Sequence, residues 1–238
     1  MPEWVGSLRL SGQYVSSHTE ARIGGDLYEA LHTVHGIRFM IGDIRGKGLA
    51  AVEAAAMALG TFREAAHQEA NLEKLVSRLE QSASRYIAQA PNPEYVEAFA
   101  TAIFAEIPPN SAVLRMVNCG HPDPFLISGG GIRLLSPPRR HLPIGIADLV
   151  NEEWVTHTVP FKVGDRLLLY TDGISECRDA DGTFYPLEER LDAWSSFSLD
   201  DLVQALHGDL LRYGNLQDDA ALLAVERHEA RPDGPIGR

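Results

Sequence analysis

Three aspartic acid positions stand where apolar runs meet turns. Asp43 closes Arg38-Phe39-Met40-Ile41-Gly42-Asp43, Asp172 follows Leu167-Leu168-Leu169-Tyr170-Thr171, and the Asp218-Asp219 pair precedes Ala220-Ala221-Leu222-Leu223-Ala224-Val225. A buried strand fixes the residue at its end, and carboxylates gathered at strand ends repel one another unless a cation neutralises them. If the fold brings the three together, the chemistry they offer is that of a divalent metal held by oxygen ligands. Such donors favour Mg²⁺ or Mn²⁺ over zinc or copper.

Each signal alone admits an ordinary reading. Gly42-Asp43-Ile44-Arg45-Gly46-Lys47-Gly48 joins a strand to a helix, so Asp43 could simply be a helix N-cap. The segment is glycine-rich but fails as a phosphate-cradling P-loop, because its second glycine comes one residue early and Gly48 stands where Ser or Thr is required. Asp172-Gly173 is by itself a hairpin signal. Asp218-Asp219 after Asn215 could be a turn or an edge-strand guard, and Gly24-Gly25-Asp26 with Glu29 a turn into a strand.

The elements that must position these residues follow from pattern. Residues 7–17, 26–33 and 37–43 suit strands, whereas 48–67, rich in alanine and mostly apolar, suits a helix packed on most sides. A second helix is expected over about 71–89 with Asn71 as its N-cap, ending before Pro91. Strands are expected at 96–107 and 113–119 around the turn Pro108-Pro109-Asn110, then at 124–128, 131–135, 152–159 and 166–171. Helices return at about 186–195 and 199–213, the latter capped by Ser198, before a last strand at about 220–227. This order does not alternate as a parallel α/β sheet requires. It fits an α+β fold, a four-layer αββα sandwich of two mainly antiparallel sheets flanked by helices.

Composition bounds the function. The chain has 238 residues, 45% of them hydrophobic, enough for one substantial core, and no internal break divides residues 1–229. The Pro/Gly-rich residues 230–238 are expected to form a flexible tail. With 21 basic against 33 acidic residues the net charge is −12, which argues against a nucleic-acid partner and offers no basic stretch for a membrane. Only Cys119 and Cys177 are present, so neither a thiolate zinc site nor a disulfide framework is expected. No signal peptide is visible and the longest apolar stretch is too short to span a bilayer, so a cytoplasmic location is expected.

Taken together and in order, the segments resemble one family: the metal-dependent protein phosphatases of the protein phosphatase 2C type, in the bacterial SpoIIE-like branch. The matching segments are Ile23-Gly24-Gly25-Asp26-Leu27-Tyr28-Glu29, Gly42 to Ala51, Phe99-Ala100-Thr101-Ala102, Val117-Asn118-Cys119-Gly120-His121-Pro122, Leu142-Pro143-Ile144-Gly145, Leu169 to Glu176, and Asp218 to Leu223. They span roughly 10–226.

The resemblance implies two Mn²⁺ or Mg²⁺ ions in the cleft between the sheets. Asp43 would bridge them, the carbonyl of Ile44 would bind one, Asp172 and Asp218 would complete the shell of the second ion, and Asp26 would act close to the first ion, directly or through water. Asp219, beside the expected ligand, ranks below Asp218, and the two could exchange roles. Two ions about 3.5–4 Å apart would lower the pKa of a bridging water for in-line attack on phosphorus, so that phosphoserine or phosphothreonine is hydrolysed directly. Asp43, Asp172 and Asp26 are the expected catalytic set, and Arg22, four residues before Asp26, is a candidate for binding the substrate phosphate. The family usually has Asp at Glu29, and Arg45 stands where animal members carry a histidine acid. Arginine does not deprotonate, so leaving-group protonation would fall to metal-bound water. His121 reads as structural, and Pro137-Pro138-Arg139-Arg140-His141 as a basic loop or a phosphate-reading lid.

The implied substrate is a phosphorylated anti-sigma-factor antagonist in partner-switching regulation of a stress response. With no room for a sensor domain before Leu8, input is expected from a separate regulatory protein, a homodimer partner or another portion of a longer gene product. The alternative is a pseudophosphatase, a phosphoprotein-binding module without turnover. A third reading is hydrolysis of a small phosphorylated metabolite.

Overall fold

The structure is a computed structural model that describes residues 2–15, 25–46, 48–89, 100–146, 153–214 and 216–229. Arg22, Pro91, Phe99, Asn215, the leading part of the strand expected at 96–107 and the expected tail from Ala230 lie outside the described residues.

The chain runs β1 (Trp4–Val5), β2 (Leu8–Val15), β3 (Asp26–Thr33), β4 (Gly36–Ile44), α1 (Leu49–Gln68), α2 (Leu72–Gln89), β5 (Ala100–Ile107) and β6 (Val113–Cys119). It continues through β7 (Phe125–Ser128), β8 (Gly131–Leu134), β9 (His157–Pro160), β10 (Arg166–Tyr170), α3 (Asp172–Ser175), α4 (Leu187–Trp194), α5 (Leu199–Tyr213) and β11 (Ala220–Arg227). One sheet has the order β1-β2-β11-β10-β7-β8 and the other β3-β4-β5-β6-β9, with neighbouring strands antiparallel throughout.

Strand period two explains the layering. Phe39, Ile41, Ile103, Leu114, Leu167, Leu169, Leu223 and Val225 pack between the two sheets. Their alternates Met40, Phe104 and Val117 pack beneath Phe62, Leu72, Leu75 and Leu79 of α1 and α2. On the other sheet Leu168, Leu222 and Ala224 pack beneath Leu191, Leu202, Val203 and Leu206 of α4 and α5. Three apolar interlayers make the expected four-layer αββα sandwich. No helix among the described residues is long and apolar enough to cross a membrane.

The expected caps form. Asn71 Oδ1 accepts from Lys74 N at 2.9 Å and Ser198 Oγ from Asp201 N at 3.2 Å. Three expectations need correction. Among the described residues the strand expected at 152–159 covers only His157–Pro160, and ahead of it Val155 N donates to His141 Nε2 at 3.1 Å. Helix α1 is not packed on most sides. Ala51, Ala54, Phe62, Ala65 and Ala66 are buried, whereas Leu49 is 74% exposed. Its alanines give it helix propensity and a close approach to the sheet, not all-round burial. The basic loop is no free lid either, since Arg140 Nη2 donates to Asp123 Oδ2 at 2.5 Å and His141 is buried against Trp154.

A buried ion pair ties α1 to its sheet. Arg38, fully buried on β4, donates from Nε and Nη2 to Glu106 Oε2 at 2.8 and 2.6 Å, and from Nη1 to the carbonyls of Ala66 and Glu69 at 2.9 and 2.6 Å. These carbonyls belong to the end of α1, where no intrahelical donor is available. Removing one partner leaves the other charge uncompensated. Arg38→Ala is expected to cost about 3–5 kcal/mol in urea unfolding, and an apolar replacement of both Arg38 and Glu106 much less.

Candidate metal centre

Asp26 opens β3 and Asp43 sits one residue before the end of β4, directly opposite each other in the ladder. Asp43 has the parity of Ile37, Phe39 and Ile41, which face between the sheets, and Asp26 that of Tyr28 and Ala30. Both carboxylates therefore enter the seam between the sheets. The N-cap position of α1 is Gly48, so Asp43 belongs to the strand and does not cap the helix.

Glu29 has the opposite parity. It faces α1, where its Oε2 accepts from Arg63 Nε and Nη2 at 2.9 and 2.6 Å. The extra methylene relative to Asp serves this ion pair and leaves the seam unchanged.

Asp172 does not turn a hairpin but begins α3, immediately after β10. Gly173 makes that possible, because a Cβ there would lie 2.0 Å from the carbonyl oxygen of Asp219. Only glycine lets the start of α3 press against the Asp218-Asp219 main chain. A similar contact holds the other sheet's end, where a Cβ on Gly25 would lie 2.1 Å from the Ile44 carbonyl oxygen while Ile44 N donates to Gly25 O at 3.2 Å. A side chain at Gly25 would collide with the Ile44 carbonyl.

The charges are close enough to perturb one another. Burial pushes the Asp26 carboxyl up to about 9; Asp43 adds to the push, Thr171 draws it back, and Asp172 and Asp219 raise it further. Burial, then Asp172 and Asp218, push Asp43 up to about 6, opposed by a hydrogen bond from Asp26. Asp172 is raised by burial, Glu176 and Asp218. Asp43, Asp172 and Asp218 thus meet electrostatically, as do Asp26 and Asp219.

Two of the five carboxylates are turned onto hydroxyls. Thr171 Oγ1 donates to Asp26 Oδ2 at 2.9 Å, and Tyr14 OH donates to Asp219 Oδ2 at 2.7 Å. As they stand, no three His, Cys, Asp or Glu side chains among the described residues close around one point. Their main chains are held by strand ladders and by α3, which leaves side-chain torsions as the adjustable part. The donor set fits a divalent ion in chemistry and in charge: oxygen only, with repulsion that a cation would relieve.

The expected neighbours take plainer places. His121 Nδ1 lies 3.0 Å from Thr101 Oγ1, and Thr101 is the residue opposite Asp43 on β5. Burial pulls the His121 imidazole down to about 3, which favours its neutral form, and the ring lines the cleft beside Asp172. A cleft of about 440 Å³ opens beside Asp172, walled by Thr101, Asp123, Arg140, Tyr170 and Glu176. Thr171 and Tyr14 were not singled out from sequence, although Thr171 stands directly before Asp172.

A family description, Stage II sporulation protein E (SpoIIE), matches residues 33–228. The chain belongs to the SpoIIE family. The RsbU and RsbW domains of a Mycobacterium tuberculosis protein superpose with a TM-score of 0.75 at 23% identity, covering 96% of this chain and 63% of that one. The phosphatase domain and regulatory fragment of SpoIIE from Bacillus subtilis give 0.72 at 15%, covering 96% and 66%. The serine/threonine phosphatase PstP, solved with two manganese ions, gives 0.70 at 16%, covering 93% and 99%. The chain spans just under two thirds of the first two structures, and its fold is that of the protein phosphatase 2C domain.

In metal-free protein the raised carboxyls fix the sign of a pH effect. Their folded pKa values exceed 3.8, so the folded state holds extra protons and stability is lost as pH rises from about 4 through 6 towards 9. Asp26→Asn in chelator is expected to melt higher than wild type at pH 8, by roughly 2–4 °C per kcal/mol recovered, and equally near pH 4. A lower melting point at pH 8 would contradict the repulsion.

Proposed function

We propose that this SpoIIE-family chain is a metal-dependent protein serine/threonine phosphatase that transfers the phosphoryl group of phosphoserine or phosphothreonine directly to water. The observation that carries this reading is the seam where Asp26 and Asp43 face each other across the ladder and feel the charges of Asp172, Asp218 and Asp219. PstP, which shares the fold, was solved with two manganese ions. In the proposed assignment Asp43, Asp26, the Ile44 carbonyl, Asp172 and Asp218 would hold two Mn²⁺ or Mg²⁺ ions. Asp219 backs Asp218 from its place on Tyr14. When bound, the ions supply the charge that lowers the pKa of a water and holds phosphoryl oxygens in line.

The chain's own residues do the rest. Asp43 and Asp172 come from different sheets and so set the spacing across the seam. The cleft beside Asp172 takes the polypeptide flanking the phosphorylated residue. Both cysteines are fully buried, which removes them as nucleophiles. Arg45 is exposed, and an arginine side chain does not serve as a general acid.

The phosphoprotein we propose is a phosphorylated anti-sigma-factor antagonist, as the resemblance to the SpoIIE-like branch implies, with control by a separate regulatory protein or a second copy of the chain. Arg22 remains the proposed contact to the substrate phosphate.

Asp43→Asn and Asp172→Asn are each expected to lose hydrolysis of a phosphoserine protein by more than the roughly 10–100-fold that removal of an outer-shell partner costs, with circular dichroism unchanged. Full activity in either variant, or in excess chelator, rejects the assignment. Turnover of p-nitrophenyl phosphate only with Mn²⁺ separates an enzyme from a binding module. Capture of a phosphoprotein on Asp172→Asn, followed by phosphosite mapping, identifies the substrate.

A further inference from the structure

We propose that Thr171 is a positioning residue for the metal centre: its single hydroxyl fixes Asp26 relative to α3 and the Asp218-Asp219 turn, and metal affinity depends on it. The inference rests on the metal-dependent reading above. Strands β10 and β11 pair as far as Tyr170 opposite Leu222, and Thr171 N continues the ladder to Ala221 O at 3.1 Å. The Thr171 carbonyl is then diverted, because it accepts from Ile174 N at 3.1 Å as α3 begins. Ala221 N–H, buried at the last step of the ladder, needs another acceptor, and Thr171 Oγ1 provides it at 2.9 Å.

That acceptance decides the direction of the hydroxyl proton. With a lone pair committed to Ala221, the O–H points to Asp26 Oδ2, 2.9 Å away on the opposite sheet. Thr171 has no exposed surface, so water does not compete, and its branched Cβ restricts χ1. One oxygen therefore joins three places: β3 through Asp26, the β10–α3 junction that carries Asp172, and β11 two residues beyond Asp219. The Thr171 contact occupies Oδ2 of Asp26 and makes no claim on Oδ1. Partners that orient ligating carboxylates in this way typically govern metal affinity by 10–100-fold.

The test is calorimetric titration of Mn²⁺ into the purified chain carrying Thr171→Val or Thr171→Ser, with folding checked by circular dichroism. Thr171→Val is expected to bind Mn²⁺ roughly 10–100-fold more weakly, and Thr171→Ser within about threefold of wild type. Phosphatase activity of Thr171→Val should return in large part at saturating Mn²⁺, since the hydroxyl acts through Asp26 and does not touch substrate. A folded Thr171→Val with wild-type affinity, or a Thr171→Ser as weak as Val, overturns the inference alone. A wild-type chain that neither binds Mn²⁺ nor hydrolyses overturns the phosphatase reading instead. If Thr171→Val does not fold, Thr171→Ala is read in the same way; failure of both to fold means the hydroxyl only holds the ladder, and the inference falls.

Discussion

Like charges held at the seam between two sheets are the constraint around which this fold is organised. Five carboxylates come from four separate places in the sequence, and none of them would choose the company of the others in water. Their proximity is imposed by apolar interlayers that run the length of the strands behind them. Burial and mutual repulsion together drive the Asp26 and Asp43 carboxyls upward, the kind of perturbation that clusters at functional sites. Clusters of this kind persist where a bound ion returns the energy.

The period of two along a strand divides the work. On β3, Asp26 faces the other sheet while Glu29 faces α1 and its Arg63, so two acidic residues three apart serve different layers. On β4, Asp43 shares the inward face with Phe39 and Ile41, while Arg38 points to the helices and grips Glu106 and the end of α1. Glycine then sets how closely the ends approach. Gly25 lets β3 lie against Ile44, and Gly173 lets α3 lie against Asp219. A side chain at either place would push apart the elements that carry the carboxylates.

Much of this was legible in the sequence, for physical reasons. Apolar alternation located the long strands, alanine and leucine density located α1 and α2, and the side-chain oxygens of Asn71 and Ser198 marked two helix starts through the N–H groups they satisfy. The aspartic acids at strand ends were visible because a polar residue closing an apolar run is an anomaly. What escaped depends on partners far away in the chain. The buried pair Arg38 and Glu106 is separated by 68 positions, Thr171 and Asp26 by 145, and Tyr14 and Asp219 by 205. Nothing local distinguishes such residues from others of their type. The Asp172-Gly173 dipeptide is ambiguous by itself for the opposite reason: its local turn propensity is real, but the Asp219 carbonyl behind Gly173 is a tertiary contact that the dipeptide does not reveal.

The Asp218-Asp219 pair shows how position resolves what sequence leaves ambiguous. Neighbouring residues leading into a strand point to opposite sides, so the two cannot occupy the same place in the seam. Asp219 has the inward parity of Ala221 and Leu223, is 8% exposed and lies on the Tyr14 hydroxyl, with its charge felt at Asp26 and Asp43. Asp218 is exposed, accepts from Asp219 N at 3.0 Å and presses its charge on Asp43 and Asp172. A carboxylate committed to the Tyr14 hydroxyl must break that bond before it can turn to an ion, whereas the Asp218 carboxylate already stands on the exposed side. The same asymmetry separates Asp26 from Asp43 on the other sheet: Asp26 is anchored through Thr171, and Asp43 stands between the two groups of charges. Asp43 faces Asp26 across the ladder and feels Asp172, Asp218 and Asp219, so a cation beside it would relieve repulsion from both sheets at once.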